Sequence, residues 1–277
     1  MKMDEETVEG IEVDLLLEAL RRRYGYDFRS YARATVERRV RQFLSEMSVA
    51  SIADAIPRLL HDESFAITLM QHFSISVTEM FRDPEVYHVL RSAVVPLLKT
   101  YPHVKVWHAG CATGEEVYSM AILLREEGLY ERATIFGTDF NDAALQSAKA
   151  GIYPLQKIQE FTKNYQRAGG RRSFADYYHA DYDSALIDSA LKRRVTFANH
   201  NLVTDTVFGE MTLILCRNVM IYFNQELRAR ALRLFTESLV RGGFLCIGTR
   251  EDLTFSEVVD AYEVVDAKAR IYKKKAA

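Results

Sequence analysis

The sequence is poor in the features that mark several large protein classes. No apolar run approaches the ~18 residues of a membrane-spanning helix. The opening residues, MKMDEETVEG, are acidic and polar, unlike a secretory signal. Cysteine is scarce: three in 277 residues, at positions 111, 216 and 246, an odd number with no CxxC pair. That argues against a disulfide framework and points to reduced, mostly buried thiols in a cytoplasmic protein. There are only 5 prolines and 13 glycines, and no internal repeat or low-complexity tract, which excludes fibrous and linker-like chains. A net charge of −2 gives no overall attraction to nucleic acid or to a membrane surface. What remains is 48% apolar and 27% charged, enough for one large or two smaller core-forming domains.

The chain divides by pattern. The first eighty residues read as helices. VDLLLEALRRRYGYDF places Leu15, Leu16, Ala19 and Leu20 on one expected face, and SYARATVERRVRQFLSEM places Val36, Val40, Phe43 and Leu44 on another. From Lys105 onward the pattern changes. VKVWHAG, TIFGTDF, MTLILCRN, GGFLCIG and ARIYKK are short apolar runs separated by helical patterns such as EEVYSMAILLREEGL and QELRARALRLFTESLV. Such alternation predicts an α/β domain with a parallel sheet and helices on both faces, and ligand-binding loops along one sheet edge. The Gly- and Tyr-rich stretch from Asn164 to about residue 198 interrupts it and reads as an inserted excursion of short antiparallel strands.

The chemistry concentrates after the first strand, in HAGCATGEE (His108–Glu116). A strand, a glycine turn and a helix form a nucleotide-binding signature. Here the spacing is GxxxG, from Gly110 to Gly114, with neither the dinucleotide GxGxxG nor the Lys-Ser/Thr of a P-loop. Asp139 ends the next strand, where an acid accepts hydrogen bonds from ribose hydroxyls, although it is also placed to cap the helix that follows. Glu115 and Glu116 would repel a pyrophosphate. They suit the sulfonium and ammonium groups of S-adenosylmethionine, although acids also complement any helix N-terminus.

Several motifs carry a resemblance to the CheR family of chemoreceptor glutamate methyltransferases. SISVTEMFRDPE resembles the family's Asn/Ser-x-Thr-x-x-Phe-Arg segment, and VWHAGCATGEEVYS its Trp-Ser-Ala-Ala-x-Ser-Thr-Gly-Glu-Glu-Pro-Tyr-Ser loop. GTDFNDAALQSAKAGIY, NHNL and above all RNVMIYF match further family segments. The resemblance implies a Rossmann-like, class I methyltransferase domain with a small inserted β-subdomain, preceded by an all-α domain. The expected bounds are 1–75 for the helical domain, 76–87 for a linker, 88–277 for the catalytic domain and about 164–198 for the insert. It also implies site roles. Ser76, Thr78 and Arg82 would line the cofactor site, with Gly110 in the turn. Glu116 would meet the methionine amino group, and Asp139, with Phe140 beside it, the ribose. Asn201 and Leu202 would flank the adenine, and Arg217, Asn218 and Tyr222 would close the pocket near the methyl. Ser76 replaces a frequent Asn and Val117 a usual Pro. GTRE stands where Gly-His-Ser-Glu is common, which leaves Thr249–Glu251 without an assigned role.

The implied reaction is attack of a glutamate carboxylate on the sulfonium methyl, giving a methyl ester and S-adenosylhomocysteine. A carboxylate is already ionised at neutral pH, so no general base is needed, and no convincing His–Asp or Ser–His constellation is visible in the sequence. Arg82 is expected to hold the substrate carboxylate bidentately, with Tyr222 assisting; ion pairing to Asp83 or Glu85 would be its ordinary surface role. Eight arginines between positions 21 and 41 face only Asp27 and Glu37 in that window. Arg38, Arg39 and Arg41 are the expected docking residues for a glutamate-rich receptor helix. No nucleic-acid module accompanies them. His179, Asp181 and Asp183 do not make a convincing metal site. The chain is expected to act as a monomer without membrane insertion. Two other readings stay open: a non-catalytic adaptor that binds S-adenosylmethionine or S-adenosylhomocysteine, and a nicotinamide-dependent oxidoreductase.

Overall fold

The computed structural model describes residues 5–73, 78–254 and 256–276. They pack as two units: the described residues up to 73 together with Tyr222–Arg228, and the remainder.

The first unit holds α1 (Glu5–Tyr24), α2 (Arg33–Glu46), α3 (Ile52–His61) and α4 (Glu63–Phe73). On α2 the expected face is the buried one: Val36, Val40, Phe43 and Leu44 recur at helical spacing and all turn inward. On α1 the expected face needs correction. Val13, Leu16, Leu17 and Leu20 are buried, whereas Leu15 is 55% exposed. The sequence i, i+3, i+4, i+7 starting from Val13 sets the stripe, and Leu15 projects well to the side of it. Ser51 caps α3 by accepting from the Asp54 amide at 3.1 Å. The arginine run is less bare than its own window suggests. Acids of α1 reach it: Glu18 pairs with Arg21, Arg22 and Arg29, Asp14 with Arg33, and Glu9 with Arg41. Arg21 and Arg22 meet Glu18 along α1 itself, at i,i+3 and i,i+4, while Asp14 and Glu9 reach Arg33 and Arg41 from a neighbouring helix, which a sequence window cannot register.

In the second unit, α5 (Pro84–Val89) passes through a π-helical segment, Leu90–Val94, into α6 (Val95–Leu98). Then follow β1 (Val104–Ala109), α7 (Glu115–Glu126), β2 (Ala133–Asp139), α8 (Asp142–Ala150), β3 (Ile152–Pro154) and α9 (Ile158–Arg167). The chain continues through β4 (Tyr178–Asp181), β5 (Ser184–Ile187), β6 (Val195–Asn199), β7 (Met211–Cys216), α10 (Gln225–Ser238, in this unit from Ala229 onward), β8 (Leu239–Ile247), β9 (Tyr262–Asp266) and β10 (Ile271–Lys274).

The large sheet has the order β6-β2-β1-β7-β8-β10-β9. Its first five strands are parallel; β10 runs antiparallel to both β8 and β9, and the connection from β9 to β10 is a hairpin too short for a parallel crossover. β1, β2 and β7 are apolar and largely buried, as strands covered on both faces must be. The strand order reverses between β1 and β7, so their outgoing loops diverge and leave a crevice at that edge. A separate antiparallel sheet, β3-β5-β4, lies outside this one.

A buried ion cluster ties the small sheet's surroundings to α7. Glu126 accepts from the Tyr165 and Tyr177 hydroxyls and from the Arg171 amide, and pairs with Arg91; Arg91 also pairs with Glu127 at 3.1 Å and donates to the Ala168 carbonyl. Burial alone would raise the Glu126 pKa, but these donors and the Arg91 charge hold it below the ordinary carboxylate range. All three cysteines are free and buried, and burial pushes each thiol pKa up. No helix among the described residues is long and apolar enough to cross a membrane.

Candidate functional site

The crevice is built by loops that leave the parallel strands on one edge. The first follows β1. Gly110 and Gly114 adopt φ of +78° and +91°, conformations that glycine takes without steric cost. A Cβ on Gly110 would lie 2.6 Å from Val219 of the loop after β7, so only glycine lets the two loops meet. The amides of Gly110 and Cys111 donate to the Thr138 carbonyl at 2.8 and 2.9 Å, fastening the turn to the end of β2. The Tyr153 hydroxyl donates to the Thr113 carbonyl at 2.8 Å and holds the far side.

Asp139 is 7% exposed at the end of β2. It does not cap α8. Asn141 does so, accepting from the Ala143 and Ala144 amides. The Asp139 carboxylate instead accepts from the amides of Ala112 (2.9 Å) and Asn141 (3.0 Å). Burial raises its pKa, and these amide hydrogen bonds offset part of the rise. Phe140 follows, half-buried, and its carbonyl accepts from the Asn199 side chain at 3.1 Å. In the loop after β6, the Asn201 side chain accepts from the Val203 amide and Leu202 is buried. His200 donates from Nε2 to the Thr206 carbonyl and packs edge-on against Trp107 and Phe208.

A chain of charges crosses the crevice floor. Glu116, in the first turn of α7, accepts from His108 Nδ1 of β1 at 2.9 Å and from Arg217 Nη1 at 3.0 Å. Arg217 lies in the loop after β7, and its Nη2 donates to Asp83 Oδ2 at 2.7 Å and to the Arg82 carbonyl at 3.0 Å. Burial alone would raise the Glu116 pKa; the His108 hydrogen bond and the Arg217 charge outweigh it and keep the carboxylate below its ordinary range. Burial alone would lower that of Arg217, and the facing charges, Glu116 foremost, raise it instead. The pair therefore stays ionised together. A His–carboxylate pair thus exists that was not visible in the sequence. It is not arranged as a general base, because His108 is completely buried and its Nδ1 is committed to Glu116.

Arg82 is half-buried and sits between two residues in left-handed conformation, Phe81 (φ +54°) and Asp83 (φ +52°). The Phe81 amide donates to Ser119 Oγ at 2.9 Å, while Arg217 grips the other side. Asp83 and Glu85 are paired to Arg217 and Arg167. Two more left-handed non-glycine residues, Ala112 (φ +48°) and Asn218 (φ +61°), belong to the loops after β1 and β7. Each such residue costs ~1–3 kcal/mol, and their concentration at one sheet edge marks a functional region.

Sequence reasoning missed several of these contributors. Asp83 and Arg217 are 134 residues apart, and nothing local signals their contact. Glu251, left without a role, is 4% exposed and accepts from the amides of Gly248 (2.6 Å) and Ile221 (3.1 Å), which joins the loops after β8 and β7. Its presence in a recurring Gly-x-x-Glu segment was the one available signal. The structure brings together Gly110, Glu116, Asp139, Arg217 and the Arg82 backbone, with Phe140 and Asn201 on the adjoining loops. Thr78 is half-buried in the segment leading to Phe81. Ser76 lies outside the described residues. Tyr222 falls in the helical unit, where its carbonyl accepts from the Ala32 amide at 2.8 Å, as do Arg38, Arg39 and Arg41.

The donor set can be tested against S-adenosylmethionine. Glu115, Glu116 and Asp139 border the turn, Gly110–Leu124 contains no Lys or Arg, and the facing Arg217 is committed to Glu116 and Asp83. An anionic pyrophosphate would find repulsion there. A sulfonium, an ammonium and a ribose diol find acceptors. The residues fit the group.

Residues 76–271 match the family described as "CheR methyltransferase, SAM binding domain", and residues 11–74 match "CheR methyltransferase, all-alpha domain". The chain is 50% identical over 272 residues to "Putative methyltransferase Cher3" of Pseudomonas putida, covering 98% of this chain and 100% of that protein. It is 28% identical over 236 residues to a "Chemotaxis protein methyltransferase" of Listeria innocua (84% and 87% covered). It is also 28% identical over 248 residues to one of Vibrio parahaemolyticus (86% and 87%). Fold, acid-lined glycine turn and these matches define an S-adenosylmethionine-dependent methyltransferase of Rossmann-like type. Within that class, the chain belongs to the CheR family.

Proposed function

We propose that the chain esterifies glutamate side chains in a helical segment of a signalling receptor, most simply a chemotaxis receptor, and does so in the cytoplasm. The observation that carries this reading is the placement of Arg82. Its backbone is fixed by two left-handed neighbours, by Ser119 and by Arg217, beside an acid-lined donor turn. A guanidinium carried on a backbone so fixed is suited to hold a carboxylate in one plane through two parallel hydrogen bonds.

Bound S-adenosylmethionine supplies an electrophilic methyl on a sulfonium. The residues of the chain do the rest. Asp139 accepts from the ribose hydroxyls, Glu116 receives the methionine ammonium, and Asn201 and Leu202 line the adenine side. Ser76, Thr78, Phe140 and Asn218 complete the walls, and Tyr222 orients the incoming carboxylate with Arg82. A glutamate carboxylate, with a pKa of about 4.3, is ionised at neutral pH and needs no base. Catalysis then rests on alignment, which contributes up to ~7–11 kcal/mol in favourable cases. On the helical unit, Arg38, Arg39 and Arg41 attract the glutamate-rich helix. The names of the relatives support a receptor as the partner.

The test is transfer of radiolabelled methyl from the donor to a glutamate-rich receptor fragment. A base-labile ester on glutamate is expected. Label that survives mild base, or donor binding without any transfer, would contradict the reading and favour methylation elsewhere or an adaptor.

A further inference from the structure

The geometry points to His108 as a positioning residue for the methyl donor, one that fixes the carboxylate of Glu116 for the donor's ammonium group. This rests on the reading of Glu116 proposed above and assigns the residue that makes that reading work in this chain.

A flexible carboxylate in the first turn of a helix can rotate into several rotamers, and only one presents its oxygens to a ligand at the strand edge. Here both oxygens are already engaged from below. His108 Nδ1 meets Oε1 at 2.9 Å, and Arg217 Nη1 meets Oε2 at 3.0 Å. Two donors on two different oxygens fix both the position and the plane of the group. A carboxylate offers about four lone-pair sites, so about two stay available. The side chain is 16% exposed, which leaves those sites a route to a ligand.

His108 is placed for this and for little else. It lies on β1 with no exposed surface, paired across the sheet to Gly137 and Leu215. An ionised carboxylate only accepts, so the proton of this hydrogen bond sits on Nδ1. Nε2 is buried with no hydrogen-bond partner among the described residues. Such an atom has a desolvation cost, and a small apolar residue would avoid it. The imidazole's return is the contact to Glu116. The related loop motif quoted above has serine at this place, and a serine hydroxyl is too short to span the same gap without moving the carboxylate.

The experiment measures binding, not turnover. Dissociation constants for S-adenosylhomocysteine and for its analogue lacking the α-amino group are determined by calorimetry for the full chain. The wild type, His108→Leu, His108→Ser, His108→Asn and Glu116→Gln are compared. Wild type should prefer the amino-bearing ligand, and Glu116→Gln should lose most of that preference. His108→Leu and His108→Ser should weaken binding of S-adenosylhomocysteine about tenfold, as loss of one charge-assisted hydrogen bond implies, while changing the deamino analogue less than about twofold. His108→Asn, whose amide nitrogen can stand near Nδ1, should recover most of the loss. If His108→Leu and His108→Ser each weaken the two ligands equally, His108 acts only in packing and the proposal falls, with Glu116 untouched. Should Glu116→Gln keep the full preference, the role of Glu116 itself is wrong and the proposal falls with it. If His108→Leu does not fold, the serine and asparagine variants decide between these outcomes.

Discussion

Glu115→Gln should make the protein more stable above about pH 4.5, with the full gain reached from about pH 7 upward. Glu115 is the first residue of α7 and is 2% exposed. Burial raises its pKa from the ordinary 4.5 to about 7; the Thr113 hydroxyl at 2.6 Å and the more distant Lys157 charge offset part of the burial, and Glu79 adds to the rise. Between those two pH values the unfolded chain gives up this proton while the folded chain keeps it. Stability is therefore lost as pH rises from about 4.5 to about 7, and stays lost above. At about 1.4 kcal/mol per pH unit, the full loss is about 3 kcal/mol. Glutamine is uncharged at every pH and can still accept from Thr113. The two proteins should melt together near pH 4.5. By pH 8 the variant should melt higher by roughly 6–12 °C, given about 2–4 °C per kcal/mol in a domain of this size. Scanning calorimetry of both across this range provides the assay. A melting difference that is constant with pH, or a variant less stable at pH 8, would refute the claim that Glu115 ionises at a cost inside the fold.

Three other outcomes follow from the contacts described. Glu251→Ala leaves the amides of Gly248 and Ile221 without their acceptor. It should cost about 3 kcal/mol in chemical denaturation and weaken donor binding, because the loop carrying Arg217 and Asn218 loses its tie. Glu126→Ala removes one partner of a buried ion pair and the acceptor of two tyrosines. It should cost about 3–5 kcal/mol, and unchanged stability would contradict the structural role assigned to the cluster. Neutralising Arg38, Arg39 and Arg41 together should raise the KM for a receptor fragment more than it lowers kcat, with the effect shrinking at high salt. The reverse pattern would refute docking.

The sequence showed the parts of the fold that local chemistry dictates. Strand runs such as VKVW and MTLILC are apolar over a strand's length, and the glycine turn between β1 and α7 is visible because left-handed positions call for glycine. Long-range pairing was hidden. The contact of Arg217 with Asp83 and the reach of Glu251 from Gly248 to Ile221 depend on strand order, which no local pattern encodes. His108 read as a strand residue, and its meaning emerged only once α7 had folded back over β1. The α1 stripe was misplaced by one residue for a simpler reason. Leu15, Leu16 and Leu17 are consecutive, and hydrophobicity alone cannot say which of the three faces out. The arginine run holds only Asp27 and Glu37 as acids in its own window, which pair with Arg29, Arg33 and Arg41, whereas its further counter-charges come from α1. For the site, the motif residues supplied the list of candidates. Their hydrogen-bond partners, which decide what each can do, came from tertiary structure.

The account's central claim is that Arg82 holds a glutamate carboxylate in line with the donor methyl. The most direct test is the turnover number of Arg82→Ala at saturating donor and receptor fragment, measured with the calorimetric affinity for S-adenosylhomocysteine on the same preparation. The account predicts a fall in turnover of at least ~10²-fold while affinity changes only a few fold. Near-normal turnover in a variant that binds the donor normally would contradict it.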